Sequence, residues 1–161
     1  MGGPMRRSSR LTAILAIGTC PMGPAMAGPA QADLTGAFRR WFATDPSVTC
    51  VTPDGRDRRC SITQAEHVEV RRSPADTAAL VFVTYLPDPT AIGNATQLAA
   101  AAFRRDPGGW RLVRTIPSAG GAPAGKVAFT GETASYPVAV PKPGDPRCCP
   151  TGRRQVSIDL R

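Results

Sequence analysis

A chain of 161 residues with 42% hydrophobic content has enough apolar material for one globular domain and too little length for two of ordinary size. Its net charge of +8 is almost all arginine, the only lysines being Lys126 and Lys142, a bias that a GC-rich genome produces by itself. The basic balance therefore reads as composition and solubility, and no nucleic-acid partner is expected, although an anionic ligand fits the excess.

Arg6, Arg7 and Arg10 precede the apolar run from Leu11 to Ile17, and prolines and small residues follow. Positive, apolar, then small is the pattern of a secretory signal peptide, here residues 1–32. Two cleavage points fit, after Ala27 or after Ala32. The apolar run is shorter than the ~20 residues of a membrane span. Acylation at Cys20 is disfavoured by the neighbouring Thr19, and a twin-arginine signal at Arg6-Arg7 by Ser9 and Arg10. Loss of the three leader arginines leaves a charge of +5 on residues 33–161, the single exported domain this reading predicts. A periplasmic or secreted location makes the even set Cys50, Cys60, Cys148 and Cys149 a disulfide framework.

Residues 33–44 predict a helix: Asp33 caps it, and Leu34, Phe38, Trp41 and Phe42 form one apolar stripe. Asp45-Pro46 ends it. Residues 47–61 predict a hairpin turning through Pro53-Asp54-Gly55. Cys50 and Cys60 are equidistant from Gly55, which places them opposite each other for a cross-strand bond. Residues 67–72 alternate as a strand, and 79–86, apolar on both faces, read as a central one. Residues 94–105 are ambiguous. Four consecutive alanines and the Asn94…Gln97 spacing suit a helix. The Asp106-Pro107-Gly108-Gly109 turn and the alternation from Trp110 to Ile116 suit a hairpin, so 96–105 is read as a strand. Residues 126–130 and 135–140 predict two further strands, the second an edge or bulged strand because of Pro137. Residues 155–160 predict a last strand with one wet face. The fold class expected is α+β: an antiparallel β-sheet with the N-terminal helix packed on it.

The stretch from Pro141 to Gly152, PKPGDPRCCPTG, is the least ordinary in the chain. Its adjacent cysteines permit a vicinal disulfide, separate bonds to Cys50 and Cys60, or a dithiol for a soft metal. If Cys50 bonds Cys60, Cys148 and Cys149 are left to bond each other. Arginine doublets recur, and Arg71, Arg72, Arg147, Arg153 and Arg154 form a candidate anion-binding set if strand ends bring them together. The single histidine, His67, has no accompanying nucleophile motif, and neither zinc-type spacing nor a glycine-rich phosphate loop occurs. No cofactor is expected.

The run Gly144-Asp145-Pro146-Arg147-Cys148-Cys149-Pro150-Thr151-Gly152 resembles the G-D-P-x-C-C-P-[ST]-G signature near the C-terminus of some small exported bacterial proteins, among them mycobacterial-type lipoproteins of the LppP/LprE kind. The resemblance implies an envelope protein without an established enzymatic activity. The function expected is a non-catalytic exported cell-envelope protein, a binding or interaction module whose partner is an envelope protein or an anionic ligand. The alternatives are a thiol-based metal-binding or redox protein at Cys148-Cys149, and a small hydrolase using His67.

Overall fold

The computed structural model describes residues 33–88, 90, 96–117, 121–146 and 149–161. The signal peptide expected at residues 1–32 lies outside them. The helix α1 spans Leu34–Thr44 and buries Leu34, Ala37, Phe38, Trp41 and Phe42, the stripe that their spacing dictates. An Asp33 carboxylate oxygen accepts from the Gly36 N–H and caps the first turn. Asp45, extended ahead of Pro46, closes the helix, and its N–H returns to the Trp41 carbonyl.

Strands β1 (Thr49–Val51) and β2 (Asp57–Arg59) form a small hairpin carrying the Cys50–Cys60 disulfide, with Cα atoms 5.0 Å apart. The register differs from the expected one. Cys50 stands opposite Arg58, not Cys60, and the hairpin is centred one residue earlier than Gly55. The bond runs diagonally, between two residues that share the inner face of the ribbon and are both buried.

Strands β3 (Ala65–Arg72), β4 (Ala78–Tyr85), β5 (Gln97–Asp106) and β6 (Gly109–Ile116) pair antiparallel in chain order. Strand β4 is interior and buried on both faces, as its unbroken apolar run requires. Ala79, Val81, Val83 and Tyr85 face α1, together with Ala99, Ala101 and Phe103 of β5. Leu80 and Phe82, with Ala100 and Ala102, face the other way. That second face is covered by a three-stranded sheet, β7 (Ala128–Thr130), β8 (Thr133–Val140) and β9 (Gly152–Asp159), through Ala134, Tyr136, Val138 and Ile158. Each large side chain sealed in this way contributes about 2 kcal/mol of burial.

The expected α+β class is thereby overturned. The described residues are mostly β: three antiparallel sheets, one eleven-residue α-helix and a single 3-10 turn at Ile62–Gln64. The physical reason lies in β4 and β5. A strand pair apolar on both faces needs two covers, and α1 supplies only one of them. The strand reading of 96–105 agrees with β5, where pairing with β4 and β6 overrides the helix preference of four alanines. Gly109, at φ 109, takes the positive-φ position that the turn demands. Pro137 corrects a second expectation, because β8 is the middle strand of its sheet. It is tolerated because β7 pairs only with residues 133–135, leaving that side of β8 open at Pro137. A loop fills the gap: the Ala124 N–H donates to the Pro137 carbonyl at 2.7 Å.

Polar contacts join the layers. Trp41 Nε1 donates to Asp45 Oδ2 at 3.1 Å and to Thr115 Oγ1 at 3.0 Å, which fixes α1 to β6. Arg104 pairs with Glu132 at 2.9 Å across the two larger sheets. Among the described residues no helix is long and apolar enough to cross a membrane.

Candidate functional site: the loop between β8 and β9

The loop from Pro141 to Thr151 is organised by one carboxylate. Lys142-Pro143-Gly144-Asp145 makes a turn closed by the Asp145 N–H on the Lys142 carbonyl at 3.0 Å. Proline second and glycine third, with Gly144 at φ 89, is the chemistry of a type II turn. The Asp145 carboxylate then accepts from the Lys142 N–H at 2.7 Å, the Thr151 N–H at 2.8 Å and the Thr151 hydroxyl at 2.9 Å. Both ends of the loop are tied to one side chain. The backbone N–H groups of Thr151 and Lys142, and then the Thr151 hydroxyl, hold the Asp145 pKa below the ordinary carboxylate value.

Gly152 closes the frame. A Cβ there would stand 2.6 Å from the Val140 carbonyl oxygen and 3.0 Å from Val140 Cγ2, so only glycine lets β9 begin so close to the end of β8. Within the frame, the Cys149 N–H donates to the Pro146 carbonyl at 3.1 Å, and Cys149 is exposed. Arg147 and Cys148 lie outside the described residues, as does the expected bond between Cys148 and Cys149. Gly144, Asp145, Thr151 and Gly152 thus share one task, joining the two ends of the loop. The sequence reading missed the Asp145–Thr151 tie. Its signal was the [ST] position of the motif, since serine and threonine have in common the hydroxyl that Asp145 accepts.

Of the candidate anion set, Arg147 lies outside the described residues, and Arg71, Arg72, Arg153 and Arg154 lie on two different sheets. Arg71 pairs with Glu69 on its own strand. Arg72 pairs with Asp76 at 2.6 Å and lies over the Trp110 ring, 5.4 Å from its centroid. Arg153 donates to the Ala124 carbonyl at 3.1 Å, and Arg154 sits on β9 opposite Val138. The structure does not gather these four described arginines. It brings together a different pair, Arg72 and Arg105, on the single carboxylate of Asp76. That carboxylate is held below its usual pKa first by the Arg72 hydrogen bond and then by the charges of both arginines. A cleft of about 240 Å³ lies beside them, with Asp33 and Trp110 in its wall. Trp110 is only 6% exposed, so its ring serves packing and offers little surface to a ligand.

His67 is exposed on β3 opposite Thr84, and its side chain makes no hydrogen bond or ion pair among the described residues. No family model, curated protein or solved structure matches this chain.

Proposed function

We propose that this chain is a non-catalytic, exported protein of the bacterial cell envelope that uses the β8–β9 loop as an interaction module. The observation that carries the reading is the loop frame. Asp145 ties Lys142 to Thr151, and Gly152 has no room for a side chain, so the two ends of the loop are held together. Pre-organisation of this kind lowers the entropy cost of binding a partner. The leader pattern and the Cys50–Cys60 bond support an oxidising compartment. The resemblance of residues 144–152 to the exported G-D-P-x-C-C-P-[ST]-G proteins points the same way. The hydrolase alternative is less well supported, because among the described residues no carboxylate pairs with the His67 ring.

The test is intact mass and non-reducing peptide mapping of protein recovered from a producing bacterium. The expected product begins near Gly28 or Asp33, yields one linked peptide containing Cys50 and Cys60, and shows no titratable thiol at Cys148 or Cys149. A full-length cytoplasmic product removes the export reading. Two titratable thiols move the loop to the metal-binding alternative.

A further inference from the structure

Strand β5 is longer than its partner β6. Strand β4 pairs with β5 along its whole length down to Gln97, but β6 ends at Ile116, opposite Ala100. Pro117 stops β6, since proline has no N–H to continue a ladder. Gln97, Leu98 and Ala99 are therefore paired on one side only. Residues of an antiparallel strand alternate in which neighbour their backbone groups address. The terminal pair Ala100–Ile116 cannot be closed through a Pro117 N–H, so Ala100 bonds Ile116 directly. Two residues back, Leu98 aims its N–H and C=O the same way, into the space that β6 vacates. Among the described residues no other backbone group takes them.

That space is a notch of about 280 Å³ bounded by Ser47, Tyr85, Gln97, Thr115 and Pro117, and every residue lining it is uncharged. Two of the long free sheet edges are different. Strand β3 carries Glu66, Glu69, Arg71 and Arg72, and β9 carries Arg153 and Arg154, the charged guards that keep edges from pairing. The polar groups behind the notch are already satisfied: Asp45 accepts from Ser47, Thr115 and Trp41, and the Tyr85 hydroxyl donates to Gln97 Oε1 at 3.0 Å. What remains on offer is main chain, over small alanine side chains at Ala99 and Ala100.

We infer that the notch beside Leu98 is a strand-addition site for an uncharged, extended peptide segment of a partner protein. An anionic polymer would find no cation in the wall. An extended backbone finds a donor and an acceptor at strand spacing, the source of affinity in strand addition. This site is separate from the β8–β9 loop, and either can fail without the other.

The experiment is an amide NMR titration of the ¹⁵N-labelled, disulfide-bonded protein. The probes are the blocked pentapeptide acetyl-AVTVA-amide and the same peptide N-methylated on alternate residues. The expected result is saturable shifts at Leu98, Ala99 and Ile116 with the first probe at concentrations up to about 10 mM, and none with the second. Gln97→Glu keeps the acceptor for Tyr85 and places a charge in the notch, and is expected to weaken binding at least threefold. Ser47→Arg provides a second charged variant if the first perturbs β5. Absence of shifts with the first probe, or equal shifts with the N-methylated one, overturns the proposal. So does sedimentation as a dimer with the Leu98 amide protected, which makes a second copy the occupant. Equal binding by both charged variants overturns it as well.

Discussion

Tyr136 is the clearest single-residue anomaly among the described residues. It is fully buried between the two larger sheets, stacked edge-on to Phe82 at 5.4 Å, and its hydroxyl has no hydrogen-bond partner. Burial pushes its pKa upward, and the charge of Arg154 only partly opposes this. An unsatisfied buried hydroxyl costs about 1–3 kcal/mol. Tyr136→Phe removes the orphan oxygen and keeps the ring contact, so it is expected to leave stability unchanged or to raise it by about 1 kcal/mol. Denaturant unfolding measures this, and a loss of the same size would mean that the hydroxyl has a partner in solution.

At the scale of elements, the β8–β9 loop makes a prediction that separates its hydroxyl from its shape. Thr151→Ser keeps the oxygen that Asp145 accepts, and Thr151→Val keeps the volume without it. Serine is expected to preserve amide protection at residues 145 and 151, while valine speeds exchange there roughly fivefold, the worth of one hydrogen bond. Equal exchange in the two variants would remove the hydroxyl from the frame. Much at this scale was legible in the sequence. The α1 stripe, the β5–β6 turn and the β4 core strand all follow from local spacing and turn chemistry. The Cys50–Cys60 bond was also legible, although counting from Gly55 gave the wrong register, because a hairpin centre depends on which turn residues pair. What could not be read was long-range. Periodicity shows that a strand has an apolar face without showing which sheet it joins, so three sheets were read as one. Pro137 looked like an edge residue because the shortness of β7 is a property of the partner strand and leaves no mark at position 137. The candidate arginines were grouped by their doublets, whereas the structure pairs Arg72 with Arg105, far apart in the chain.

For the molecule as a whole, acid is the expected weakness. Asp45, Asp76, Asp145 and Asp159 all have pKa values below the usual carboxylate range. For Asp45, burial works to raise the value, and hydrogen bonds from Ser47, Thr115 and Trp41 together outweigh it. For Asp159 the hydrogen bonds from Arg161 lead. A carboxylate with a depressed folded-state pKa contributes stability that is complete above its unfolded value and is lost as pH falls through the folded one. Thermal midpoints should therefore be flat above about pH 5 and decline below about pH 4, and Asp45→Asn should decline less steeply there than the parent. Equal slopes for the two proteins would take Asp45 out of the account. The middle layer has a further consequence. Ala99 and Ala101 belong to the same core as the aromatic side chains of α1, and Ala100 and Ala102 to the same core as Tyr136 and Ile158. Ala101 and Ala102 are fully buried, away from the notch that Ala99 and Ala100 border, so each cover is closely packed over one of them. A larger residue at either of these two requires a smaller one overhead. In divergent copies of this chain, position 101 should vary in step with 38, 41 and 42, and position 102 with 136 and 158. The alanine run then acts as a ledger of inherited size exchanges, kept separately for the two faces of one sheet.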